Sequence, residues 1–427
     1  MQQVKLNLPV ELVSALASGA EVDLELPRHA VLDKMRRVPS RSHLEDKPSD
    51  QPPVMQSPPG AEVVIDGHRY LYFGGTSYLG LAGHPEVIEA ACEATRRYGI
   101  HSATSRAGFG NSPPVLEVER LAAEFFGTED AFYFVSGYVG NHILIQALAA
   151  KFDAVFVDGL SHYCVNEAIR LAHVPVYEFR HRDPDDLRAQ LEQHVRPDQR
   201  PLVVTDGVFS MTGAIAPIRE YFQILSRSLA GTILIDDAHG VGVLGEHVCG
   251  TVEHFGLWNE GVNETSRDRV VAVRLCATLS KAIGGFGGVI PGSRQFLAHA
   301  RGGSHYFDGA SAPPAGAAAA TAKALEIIKA QPQLRQRHQE NIRRMRSGLR
   351  SLGLPVEDEP TANMGLKIGD ADNHQRIHTA LKRRGILIPF IAKYAGAGSE
   401  GLLRIAVFAT HTPEMIDRAL SELSTLL

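Results

Sequence analysis

From about residue 62 the apolar positions alternate between two textures. "DAFYFVSG", "DAVFVDG", "PVYEFR", "PLVVTDG", "TILIDDAHG" and "RVVAVRLCATLS" are apolar at nearly every early position. Between them, "GNHILIQALAAK", "HYCVNEAIRLAH", "PDDLRAQLEQHV" and "IREYFQILSRSL" repeat apolar residues every three or four positions. Continuous apolar strands separated by amphipathic helices predict an α/β fold with a mainly parallel sheet covered on both faces. Ahead of them, "AEVVIDGHRYLYF" predicts a hairpin, and "PEVIEAACEATRRYG" and "SPPVLEVERLAAEFFG" predict helices. In the second helix Val118, Leu121, Ala122 and Phe125 share one face, and Ser112–Pro113 marks its start.

After about residue 310 the pattern changes. "PPAGAAAATAKALEIIKAQPQLRQRHQENIRRMRSGLRSL" predicts long helix, kinked or broken near Gln331–Pro332. "NMGLKIG", "GILIPFI" and "GLLRIAVFA" predict strands, and "PEMIDRALSELSTLL" a closing helix. Three parts follow: an N-terminal segment and linker (1–61), a large α/β domain (62–310) and a small α+β domain (311–427), which the N-terminal segment can join. Residues 38–60 are rich in Pro, Ser and charge and predict irregular chain, with a short helical piece before them.

Composition narrows the classes. The 427 residues are 44% hydrophobic, with a net charge of −5, so no chain-wide basic field points to nucleic acid. No apolar run reaches the roughly 18–20 residues of a membrane span. The start of the chain carries acids and lacks a basic lead into an apolar core, so a cytoplasmic location is expected. Four cysteines at wide spacings read as free thiols rather than metal ligands.

The chemistry collects just past the strands. "SGYVGN" follows "DAFYFV", "SHYC" follows "DAVFVDG", "DGVFSMTG" follows "PLVV", "DDAHG" follows "TILI", and "SKAIGG" follows "VVAVRLCATL". Ligands of open α/β sheets sit beyond the carboxyl ends of the strands. One rim therefore gathers Ser136, Gly137, Tyr138, His162, Ser210, Asp236, His239 and Lys281. Singly each has a structural explanation: a turn, a helix cap, a hydrogen-bonded histidine, a surface lysine. Gathered on one rim they argue for a site.

A nucleotide phosphate loop needs its glycines before the lysine, and here they follow it. A serine hydrolase needs G-x-S-x-G, which "GVFSMTG" does not match, although Ser210, His239 and Asp236 supply the residue types of a triad. A metal held by Asp236, Asp237 and His239 lacks further ligands. Pyridoxal phosphate uses every piece. It needs a lysine for a Schiff base and an acid facing the pyridine nitrogen, because an opposite charge favours the protonated ring. The lysine must be partly desolvated so that its neutral amine is accessible. A ring should stack on the cofactor, and backbone N–H groups at a helix start should hold its phosphate.

These motifs resemble the α-oxoamine synthases, a branch of the fold-type I pyridoxal phosphate enzymes. The likeness runs from "YLGLAGHPEVIEAA" at residue 78 to "LLRIAVFATHTPEMIDRAL", through "SGY-x-x-N", "GVFSM-x-G-x-IAPI", "DDAHG-x-GVLG" and "TLSKA". The resemblance implies that Lys281 bonds the cofactor and moves protons at the substrate α-carbon. It implies that Asp236 pairs with the pyridine nitrogen, His239 with the phenolic oxygen, and that His162 stacks on the ring. Gly137 and Tyr138, with Ser136 nearby, would hold the phosphate, helped by Thr278 and Ser280, and Ser210 would lie in the cofactor-side turn. Arg404 would grip the amino-acid carboxylate, a task suited to guanidinium.

The family usually has an asparagine where Thr76 stands, near the substrate. A threonine that crosses a dimer to the phosphate is absent, and Ser311 in "FDGASAPP" is the substitute. A late "P-x-V-P" turn, which borders the acyl pocket, is replaced by "IAKYAGAG". The implied reaction joins an amino acid to an acyl thioester, of coenzyme A or a carrier, with loss of carbon dioxide, in a homodimer. An aminotransferase or an aldolase or lyase on the same fold is the alternative, and a non-catalytic scaffold is disfavoured by Lys281.

Overall fold

The computed structural model of the chain describes residues 52–228, 230–262 and 271–427. The short helical piece expected before residue 38 and most of the expected linker lie outside the described residues.

Seven strands form the central sheet in the order β3-β9-β8-β7-β6-β4-β5. In chain order they are β3 (Asp130–Phe134), β4 (Ala154–Asp158), β5 (Val176–Phe179), β6 (Pro201–Asp206), β7 (Gly231–Asp236), β8 (Val271–Thr278) and β9 (Gly288–Gly292). Pairings among β5, β4, β6, β7 and β8 are all parallel. β9 runs antiparallel to both β8 and β3, so the sheet is mixed but mainly parallel. Each strand serves two cores, because successive side chains point to opposite faces. Val203, Ile233 and Ile235 face one apolar layer. Leu202, Val204 and Leu234 face the other, against Ile143 and Leu144 of the helix Gly140–Leu148.

The hairpin forms as predicted: β1 (Glu62–Ile65) pairs antiparallel with β2 (His68–Tyr72) through Asp66 and Gly67, both at positive φ. The stretch "GILIPFI" is not one strand. It splits into β11 (Ile386–Leu387), parallel to β2, and β12 (Phe390–Ile391), antiparallel to β13 (Leu402–Ala406). Pro389 between them has no N–H for a ladder, so the chain changes sheets there. β10 (Asn363–Leu366) completes the second small sheet beside β13. The predicted break at Gln331–Pro332 separates the helices Ala315–Ala330 and Gln333–Ser351.

The glycine-rich stretch after Lys281 answers to crowding. A Cβ on Gly288 would lie 2.7 Å from Gly137 Cα, and Gly287, at φ 88°, would place one 2.4 Å from the Phe134 carbonyl oxygen. Only glycine lets the chain leaving Lys281 return against the Ser136–Val139 turn.

Candidate active site

The strand ends converge as the sequence predicts. Ser136 and Gly137 follow β3, His162 follows β4, Asp206 closes β6, Asp236 closes β7, Thr278 closes β8, and Lys281 comes three residues later. With Thr76, Tyr138, Ser210, His239, Ser280 and Arg404 they line one cavity of about 560 Å³. Ser311 does not line it; it is exposed and bridges Ser105. A wider, more open recess of about 760 Å³ between Val243–Val248 and the helix Gln333–Ser351 holds none of these residues.

Asp236 lies at the buried end. Its Oδ2 accepts from Asn141 Nδ2 at 2.7 Å and from the Cys164 thiol at 3.2 Å, and its Oδ1 accepts from the Ala238 N–H at 3.1 Å. A carboxylate has about four acceptor sites. Three are filled, which leaves about one to receive an N–H from the cavity. Burial first, then the Asp236 charge, raises the Cys164 thiol, so it stays protonated and donates. Asp206, in register with Asp236 on the next strand, is buried and accepts the His162 N–H at 2.9 Å. Burial, then the Asp236 charge, holds its pKa well above the usual carboxylate range.

Lys281 opens on the cavity, and its Nζ lies 2.9 Å from His239 Nε2. Among the described residues no carboxylate forms an ion pair with it, so desolvation dominates and lowers its pKa. Burial, then the charges of Lys281 and Arg404, keeps His239 neutral by lowering its pKa well below the usual value. His239 Nδ1 lies 2.7 Å from Tyr78 Oη. His162 caps the helix Tyr163–Ala168, and its Nε2 lies 2.6 Å from Tyr394 Oη. Arg404, from β13, is buried; it donates to the Ser210 carbonyl at 2.8 Å, the Gly75 carbonyl at 3.0 Å and Tyr78 Oη at 3.2 Å. Three of its five donors are thus engaged.

The rival chemistries do not assemble. His239 bonds Tyr78 and Lys281, and neither Asp236 nor Ser210 reaches it, so no triad forms. Asp237 turns away from the cavity and accepts from the backbone and hydroxyl of Thr251. No cluster of three metal-ligating side chains exists among the described residues.

The residues fit pyridoxal phosphate on geometry alone. Asp236 has acceptor capacity aimed into the cavity, opposite a desolvated amine. The Ser136–Val139 turn leads directly into the helix Gly140–Leu148, whose N–H groups face an anion naturally. Gly137 lies against Thr278: a Cβ there would fall 2.6 Å from Thr278 Cβ, so the bare backbone forms the cradle wall.

The aminotransferase class I and II family model matches residues 70–423. The 8-amino-7-oxononanoate synthase 1 of Polaromonas sp. is 36% identical over 374 residues, 86% of this chain and 89% of the relative. The 8-amino-7-oxononanoate synthase of Pseudomonas putida KT2440 is 36% identical over 375 residues, 88% of this chain and 92% of the relative. The chain belongs to the α-oxoamine synthases. A serine palmitoyltransferase solved with pyridoxal phosphate superposes with a TM-score of 0.80 at 26% identity, covering 88% of this chain and 92% of that one. This α-oxoamine synthase is accordingly a pyridoxal phosphate-dependent enzyme of fold type I.

Sequence reasoning missed five residues that build the site: Asn141, Cys164, Asp206, Tyr78 and Tyr394. Asn141 was visible as the last residue of "SGYVGN", and Asp206 as an acid closing an apolar strand. Tyr78, Cys164 and Tyr394 stand in "YLGLAGHP", "SHYC" and "IAKYAGAG", but their roles were not legible there, since only the folded chain brings them to His239, Asp236 and His162.

Proposed function

We propose that this enzyme condenses an amino acid with the acyl group of a coenzyme A thioester, releasing carbon dioxide and an α-aminoketone. The observation that carries the reading is the convergence of Lys281, Asp236, His239, His162 and Arg404 on one cavity. Pyridoxal phosphate, when bound, supplies the electron sink for a carbanion at the amino acid's α-carbon. Lys281 anchors it and moves the α-proton, a role suited to an amine whose pKa is lowered by burial. Asp236 would pair with the pyridine nitrogen, His239 with the phenolic oxygen, and His162 would stack on the ring. Ser136, Gly137, Tyr138, Thr278 and Ser280 would hold the phosphate, and Ser210 braces Arg404 through its carbonyl. Arg404 turns its remaining donors to the amino-acid carboxylate, and Thr76 borders the amino-acid side chain. Val208, Met211, Pro389 and Ile391 give the acyl chain an apolar wall.

The working form we propose is a cytoplasmic homodimer. Ile100, Phe109 and Leu116 are exposed apolar residues that a second copy can cover, and Ser311 reaches a phosphate only across such an interface. Among the described residues no helix is long and apolar enough to cross a membrane. The test is to supply pure enzyme with single amino acids and acetyl, pimeloyl or long-chain coenzyme A thioesters. Thiol release that requires both substrates, with an aminoketone of the summed mass less carbon dioxide, is the expected result. Keto acid formed without thioester, which is transamination, overturns it.

A further inference from the structure

Tyr394 stands in "IAKYAGAG", the segment that departs from the family pattern, and its hydroxyl has a direction that the surrounding hydrogen bonds fix. His162 Nδ1 accepts the backbone N–H of Cys164 at 3.2 Å. A backbone amide only donates, so Nδ1 carries no hydrogen. Burial lowers the His162 pKa, so the ring is neutral and its hydrogen sits on Nε2. Cys164 Sγ also lies 2.9 Å from Nδ1, but the backbone N–H has its hydrogen fixed by the chain and pointed at Nδ1, which leaves no room for a ring hydrogen there whichever way the thiol turns. The 2.6 Å contact between His162 Nε2 and Tyr394 Oη therefore runs from the imidazole to the phenol. Tyr394 accepts, and its own hydrogen must point elsewhere.

Elsewhere is the cavity. Tyr394 lines it with Lys281 and Arg404. Its ring is held edge-on to Tyr163, 5.0 Å between centroids, and packs against the small apolar cluster of Met211, Ala397 and Leu402. Burial raises its pKa, with Arg404 near enough to oppose the rise, so the phenol stays protonated at neutral pH. Tyr138, the cavity's other phenol, already donates to Glu167 at 2.7 Å.

We propose that Tyr394 donates its phenolic hydrogen to the carbonyl oxygen of the acyl thioester as that oxygen becomes negative, with His162 Nε2–H orienting the phenol. The inference rests on the acyl-transfer reading above. In that reaction the substrate's carboxylate falls to Arg404 and its nitrogen to the place of Lys281. The thioester carbonyl is then the group that still needs a donor. The α-carbon attacks the carbonyl carbon, a carbon–carbon bond forms, and the π pair moves to oxygen. Collapse restores the carbonyl, breaks the carbon–sulfur bond and expels the thiolate. A donor aimed at the developing charge accelerates the first step.

The test uses Tyr394→Phe in the holoenzyme, with the absorbance of bound cofactor reporting that the site is intact. Two rates separate the roles: solvent deuterium exchange at the amino-acid α-carbon without thioester, and thiol release with both substrates. The expected result is thiol release slower by about 100-fold, with exchange changed by less than about threefold. Thiol release at the wild-type rate overturns the proposal. So does an equal fall in both rates, which makes Tyr394 a support for His162 alone. A second measurement needs no turnover: the affinity for an unreactive analogue with methylene in place of the thioester sulfur. Weakening of that affinity by as much as the rate falls also overturns it, since the interaction then belongs to the ground state. Wild-type enzyme that releases no thiol with any pair is a different failure, which sinks the acyl-transfer reading and this inference with it.

Discussion

At the buried end of the cavity, Asp236 and Thr278 close strands that hydrogen-bond to neighbours on both sides, whereas at the mouth Thr76, Pro389, Ile391 and Tyr394 stand on turns and two-residue strands. The buried end is also densely bonded: Asp236 takes three protein hydrogen bonds and keeps about one acceptor site for the cavity, and His239 is held from both ring nitrogens. The mouth is sparser, with apolar walls, Arg404 holding donors in reserve, and the Tyr394 phenol turned to the cavity. Fixed donors on rigid strands suit a group that never changes, the cofactor. Side chains on short connections suit groups that differ between relatives, the substrates. Substitutions at the two ends should therefore fail in different ways.

The largest effect is expected at the buried end. Lys281→Ala removes the only lysine amine among the described residues that line the cavity and should lower kcat by at least about 1,000-fold. Borohydride treatment followed by peptide mass analysis should trap cofactor on Lys281 in the wild type and nowhere in the variant. Covalent cofactor in Lys281→Ala would move the anchor elsewhere and dissolve the distinction between the two ends.

Arg404→Lys sharpens it from the other side. Lysine keeps the charge but loses the fork that holds Ser210, Gly75 and Tyr78 while gripping a carboxylate. A charged hydrogen bond lost is worth about 1.5–3 kcal/mol, so KM for the amino acid should rise about 10- to 100-fold. The absorbance of bound cofactor should hold. If absorbance shifts as much as KM, Arg404 belongs to the cofactor end and the division is drawn in the wrong place.

The same division marks what could be read from the sequence. Residues at the ends of β3, β4, β7 and β8 were legible because an apolar run followed by a polar cluster states both the strand and the rim at which its chemistry sits. β9 was not, because five residues containing two glycines and Pro291 have no periodicity to detect. Asp206 escaped notice because one acid after "VVT" looks like a turn until its register with Asp236 is known. Tyr394 lies 232 positions from His162, and no local pattern encodes a contact that two sheets meeting across a cleft create. "GILIPFI" reads as one strand because its apolar run is continuous; only Pro389 hints at the change of sheet.

The smallest predicted effect tests the seam between the two ends. His338 stacks on Tyr78, ring centroids 6.2 Å apart, and Tyr78 touches both His239 and Arg404. Its Nε2–H donates to the Val407 carbonyl at 3.0 Å, and burial lowers its pKa to about 4. The sign follows from proton counts. Between about pH 6.5 and 4 the unfolded chain binds a proton at this residue and the native one does not, so its contribution to stability is present above pH 6.5 and is lost as pH falls toward 4. His411, also lowered to about 4, acts in the same sense. Asp237, raised to about 7 by burial, and Asp206 act in the opposite sense, losing stability as pH rises through their native pKa. The wild-type profile therefore sums opposed contributions, and the informative quantity is the difference from His338→Gln, in which the other groups drop out. Glutamine keeps a donor for Val407 and does not titrate. Urea unfolding at fixed protein and cofactor concentration, between pH 6.5 and 4.5, should show the variant losing about 1 kcal/mol less per pH unit than the wild type. A variant and wild type that run parallel would mean that His338 protonates in the native state without resistance, and that the seam behind Tyr78 is open to water.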